Sequence, residues 1–119
     1  MRQVGILGAA CLYALDHHIR RLADDHATAA SLAERLREVE GLEIPHPVQS
    51  NIVIVELSGL GSSGVEGVAA LAAAGVLAVV ADATRIRFVT HMDVSKEQVA
   101  YAADVSVRVL SALGRGRSA

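Results

Sequence analysis

The hydrophobic pattern changes character along the chain. Between Gln3 and Asp16 no charged side chain interrupts the sequence, and Val4, Ile6, Leu7, Ala9, Ala10, Cys11, Leu12, Tyr13, Ala14 and Leu15 are apolar on every side of any helix they form. A helix apolar all round belongs in an interior, so residues 4–15 predict a wholly buried helix. From Leu15 onward a single stripe takes over. Leu15, Ile19, Leu22, His26, Ala29, Ala33 and Leu36 are spaced alternately by four and three, with Asp16, Arg20, Arg21, Asp24, Asp25, Glu34, Arg35 and Arg37 mostly off it. That spacing predicts a half-exposed helix over 16–40, separate from the first or the second limb of one bent helix. On this pattern His26 is a hydrogen-bonded core histidine. Gly41 follows as a stop signal.

Pro45 and Pro47 mark a turn, and the β-branched run over 51–57 predicts a strand. A glycine-rich loop, 59–64, leads to Ser63 and Glu66, the spacing of a capping box, ahead of a short helix through Ala74. Gly75 closes that helix. Residues 76–80 and 85–90 predict two more strands. Ser95 and Gln98 repeat the capping box, and Val99, Ala102, Ala103, Ser106, Val109, Leu110 and Leu113 mark the inner face of a last helix. The order predicts an α+β fold, a small mixed or antiparallel sheet with helices on one face. Residues 1–40 form a helical segment, 41–113 a small domain and 114–119 a frayed tail.

Composition narrows the function. A chain of 119 residues with net charge −2 fits one domain and lacks the basic footprint of a nucleic-acid binder. The apolar start falls short of the about 20 residues that span a bilayer. It also lacks a secretory cleavage site. Cys11, the one cysteine, excludes an internal disulfide and fits a reducing cytoplasm. Lys96 is the only lysine.

Arg85 and Arg87 lie two apart on a predicted strand, on the face opposite Ile86 and Phe88. Phe88 belongs in the core, so the arginines point away from it. A guanidinium on a rigid strand suits bidentate binding of a carboxylate or phosphate, although the pattern alone favours solvated or ion-paired surface residues. Arg2 precedes the first helix, whose electropositive start would help hold an anion. None of the five histidines forms an i, i+4 pair, which argues against a metal site. His91 ends the third strand and either lines a site or caps the turn that follows.

Several segments carry a resemblance. Residues 1–36, MRQVGILGAACLYALDHHIRRLADDHATAASLAERL, resemble the segment that follows the cofactor lysine in low-specificity L-threonine aldolases. QSNIVIVEL resembles the first small-domain strand of that family, and TRIRFVTHMDVS its R-[LF]-V-T-H-[LM]-D-V-S segment. The likeness runs from Met1 to about Leu113. It implies the C-terminal portion of a fold-type-I pyridoxal-phosphate enzyme, a homo-oligomer that cleaves L-threonine or L-allo-threonine to glycine and acetaldehyde. There the cofactor accepts electrons from the breaking Cα–Cβ bond. By the same resemblance Arg87 clamps the substrate carboxylate, Arg2 lies near the cofactor where a neighbouring subunit meets it, and His91 is structural.

The Schiff-base lysine of the family lies upstream of the Met-Arg-Gln motif, and Lys96 does not match it. The expectation is a chain inactive alone, whose first helix packs against a missing N-terminal domain or another subunit. Two other readings stay open: a non-catalytic oligomerisation or binding module, and the small domain of another fold-type-I enzyme such as an aminotransferase.

Overall fold

The computed structural model describes residues 2–116. Helices α1 (Val4–His17) and α2 (Leu22–Leu36) precede strand β1 (Ile52–Glu56), helix α3 (Gly64–Ala73), strands β2 (Val79–Val80) and β3 (Arg85–Val89), and helix α4 (Lys96–Arg115). A 3-10 turn, Ser58–Leu60, occupies the glycine-rich loop. The strands form an antiparallel sheet in the order β1-β3-β2. On one face Val53 pairs with Phe88 and Val55 with Ile86. These four are buried against Leu32 and Leu36 of α2, Leu71 of α3, and Val99 and Leu110 of α4. Helices therefore cover one face of the sheet and leave the other open, the α+β arrangement read from the sequence.

Local chemistry sets the element ends. Ser63 and Glu66 cap α3 reciprocally, and Ser95 and Gln98 do the same for α4. Gly75 takes φ 84°, the left-handed conformation that favours glycine. Its N–H donates to Ala72 O at 3.0 Å and the Val76 N–H to Leu71 O at 2.9 Å, which closes α3 in a Schellman motif. Val76 is thereby committed to the helix end, and the strand expected over 76–80 shrinks to Val79–Val80.

Two sequence expectations are not met, for different reasons. No residue of α1 is buried; Ile6 is 71% exposed and Leu12 64%. The helix is apolar as expected, but nothing among the described residues covers it. It draws the molecule out to 59 × 29 × 25 Å, with a radius of gyration of 16.6 Å, against about 13.5 Å for a compact domain of this length. The stripe from Leu15 to Leu36 is also broken, because residues 18–21 form turns between the helices. Leu15, Ile19 and Leu22 are exposed, and the buried face of α2 is Asp25, Ala29, Leu32, Ala33 and Leu36. His26 lies beside that face and is exposed, so it is not a core histidine.

Asp25 is held by a bidentate pair with Arg21 at 2.9 and 3.0 Å. Gly41 stands beyond the turns that follow α2, at φ 84°, where its backbone meets that of Gly59; a Cβ on Gly59 would lie 2.1 Å from Gly41 O. Of the segment read as a tail, Gly114 and Arg115 belong to the last turn of α4. Residues 117–119, like Met1, lie outside the described residues. Among the described residues no helix is long and apolar enough to cross a membrane.

Candidate functional site

The open face of the sheet follows from strand alternation. With Ile86 and Phe88 turned into the core, Arg85, Arg87 and Val89 face outward. Register then chooses their neighbours. Arg87, on the central strand, lies between Ile54 of β1 and Val79 of β2. Ile52 pairs with Val89 at one end of this face and Glu56 with Arg85 at the other. Ile52, Val79 and Val89 are 39%, 51% and 41% exposed, an apolar surround for a charged group.

The two arginines part company here. Arg85 donates from Nε to Glu56 at 2.9 Å and lies 3.7 Å from Asp82. Hydrogen bonds from the Thr84 side chain, then from Arg85 and Ser58, hold the Glu56 carboxyl down to about 2, against partial burial that opposes ionisation. Arg87 has no hydrogen bond or ion pair among the described residues. One guanidinium is thus internally neutralised, while the other is presented on a rigid central strand. Arg87 can receive a planar carboxylate or a phosphate in bidentate fashion.

Arg2 is placed elsewhere. It is exposed just ahead of α1, next to Gln3 at φ 62°. The first turn of α1 holds no acidic residue and no side-chain cap, so its orphan N–H groups add positive potential beside Arg2. No hydrogen bond or ion pair among the described residues brings Arg2 to Arg87.

The other side chains singled out in the sequence make local contacts. The Nδ1 of His91 accepts from the Asp93 N–H at 3.3 Å, capping the turn into α4. His17 Nδ1 lies 2.9 Å from Tyr13 O, and its ring stacks on Tyr13 at 4.1 Å. Lys96 lies 3.5 Å from Asp24, on the helix-covered side of the sheet. No group of three or more metal-ligating side chains converges among the described residues.

Sequence reasoning missed two sets of residues. The apolar flank of Arg87 from Ile54 and Val79 needs the strand register, which no local pattern encodes. In the sequence Thr90 stands out only as part of the TRIRFVTHMDVS segment, yet its buried hydroxyl joins the end of β3 to α2.

Comparison with known proteins matches the same chain. The beta-eliminating lyase family matches residues 1–59. The chain is 41% identical over 104 residues to the low specificity L-threonine aldolase of Escherichia coli K12, covering 84% of this chain and 28% of that protein. It is 38% identical over 103 residues to the probable low-specificity L-threonine aldolase 2 of Arabidopsis thaliana, covering 85% and 29%. It therefore spans somewhat more than a quarter of the length of these curated relatives. A solved structure, "The structure of MppP soaked with the product 2-ketoarginine", superposes with a TM-score of 0.59 at 25% identity, over 82% of this chain and 30% of that one. The chain is thus similar to low-specificity L-threonine aldolases over most of its own length, and its first 59 residues match the beta-eliminating lyase family.

Proposed function

We propose that the chain serves an L-threonine aldolase-like, pyridoxal-phosphate-dependent lyase as its small domain, and that Arg87 grips the substrate carboxylate. The observation that carries this reading is the unpaired Arg87 guanidinium on the central strand, flanked by Ile54 and Val79. In the sequence resemblance Arg87 stands at the family's carboxylate-binding position. Residues 41–113 then carry the small domain, and residues 1–40 lead toward a larger domain, with α2 packed back on the sheet. Arg2, by the same resemblance, lies near the cofactor.

The residues of this chain do not by themselves fit a Schiff-base cofactor. Its one lysine, Lys96, is paired with Asp24 on the helix side of the sheet, whereas Arg87 is on the open side. The amine must come from outside these residues, and the isolated chain is proposed to be inactive. Its site of action is proposed to be the cytoplasm, which suits an exposed free Cys11.

The test is a chimera in which this chain replaces the matching segment of the Escherichia coli enzyme. Acetaldehyde release from L-threonine is expected from the chimera and not from the isolated chain with added pyridoxal phosphate. Threonine cleavage by the isolated chain, or a folded, cofactor-loaded chimera with no activity, would overturn the reading.

A further inference from the structure

We propose that Glu56 and Asp82 set substrate specificity beside Arg87. By neutralising Arg85 they leave the open face one free cation, so that it takes β-hydroxy-α-amino acids with a single carboxylate and disfavours those with a second. The inference rests on the reading of Arg87 as the grip on the first carboxylate.

Strand spacing creates the need for these acids. Arg85 and Arg87 share the outward face of β3, two residues and about 7 Å apart. Two free guanidiniums at that spacing would favour a dicarboxylate over a monocarboxylate. Register removes one of them, because it sets Ile54 opposite Arg87 and Glu56 opposite Arg85. Both oxygens of Glu56 are held: Oε2 accepts from Arg85 Nε at 2.9 Å and Oε1 from the Ser58 N–H at 3.0 Å. Asp82 comes from the bend before β3. Its Oδ1 accepts the Thr84 and Arg85 N–H groups at 3.0 and 2.9 Å, and its Oδ2 lies 3.7 Å from Arg85 Nη1.

Main-chain donors thus fix both acids around Arg85, unlike a pair of mobile surface side chains. One cation between two carboxylates leaves this end of the face net negative. At the other end stands the apolar pair Ile52 and Val89. A second carboxylate on the substrate meets like charge at one end and hydrocarbon at the other, and neither offsets its desolvation. A neutral side chain such as the methyl of threonine carries no such penalty.

The test uses the chimeric aldolase, with L-threonine and L-threo-3-hydroxyaspartate as paired substrates and glycine release as the common readout. The parent chimera is expected to prefer threonine. Glu56→Gln should raise kcat/KM for hydroxyaspartate relative to threonine by about tenfold or more, chiefly through KM. Adding Arg85→Gln should cancel that gain, because the freed guanidinium is then gone. Asp82→Asn keeps the Oδ1 acceptor and should shift the ratio in the same direction by a smaller step, so the outcome does not depend on one variant folding. An ion pair with a structural role alone would change both substrates alike. A parent that favours hydroxyaspartate, an unchanged ratio in a folded, threonine-active Glu56→Gln or Asp82→Asn variant, or a gain that survives loss of Arg85 would each overturn the proposal and leave the role of Arg87 intact. Unchanged cleavage of both substrates in Arg87→Ala would overturn that role, and this proposal with it.

Discussion

The hydroxyl of Thr90 donates to the main-chain carbonyl of Asp25 at 2.7 Å, across 65 positions of sequence. It ties the end of β3 to the first turn of α2. Asn51 secures the same corner: its side chain donates to Thr90 O at 2.7 Å, and its own carbonyl accepts the Thr90 N–H at 2.9 Å. Arg87 sits three residues back along β3, so this corner helps hold the strand that presents it.

Replacing Thr90 by valine keeps the shape and removes the donor. The carbonyl of Asp25 then keeps only its helical partner within α2, and the lost bond is expected to cost about 0.5–1.5 kcal/mol. Urea unfolding should show the midpoint falling with an unchanged slope. Thr90→Ser should recover most of the loss; equal loss in both variants would assign the effect to packing instead.

How legible these features were depended on how local their causes are. Both capping boxes were readable because the partners stand three residues apart and answer only to each other. The outward face of Arg87 was readable because Ile86 and Phe88 fix the strand phase. His26 was misplaced because residues 18–21 reset the helical phase, and a periodic pattern carries no signal for such a break. The full burial of residues 4–15 failed for another reason. Apolarity states what a helix needs, and the other described residues do not supply it. The bond from Thr90 to Asp25 had no sequence signature, since it depends on the packing of α2 against the sheet.

Acid should weaken the fold through Glu56. Its carboxyl is held at about 2, below the ordinary 4.5, so the folded state favours the ionised form. The stabilisation is complete above the unfolded value and is lost as pH falls from about 4.5 toward 2. Allowing for the partly exposed Arg85, it is on the order of 1–2 kcal/mol. Glu56→Gln should lower stability at pH 7 and flatten the decline below pH 4.5. An unchanged slope of stability against pH in this variant would remove Glu56 as its source.

Ser106 makes the opposite case. It is fully buried in α4, and its hydroxyl has no hydrogen-bond partner among the described residues. An unsatisfied buried hydroxyl costs stability, and alanine is the better helix former. Ser106→Ala is expected to raise the unfolding free energy by about 0–1 kcal/mol. A clear drop in thermal stability would mean that the hydroxyl has a role in the fold.

The most direct test of the account compares L-threonine with L-threoninamide in the chimeric aldolase, with Arg87 intact and as Arg87→Ala. Loss of a charge-assisted carboxylate contact costs about 2–5 kcal/mol. The value of kcat/KM for threonine should therefore fall by about 30-fold or more, while that for the amide, which lacks the carboxylate, changes little. Equal effects on acid and amide, or none on either, would contradict the assignment of Arg87 to the substrate carboxylate.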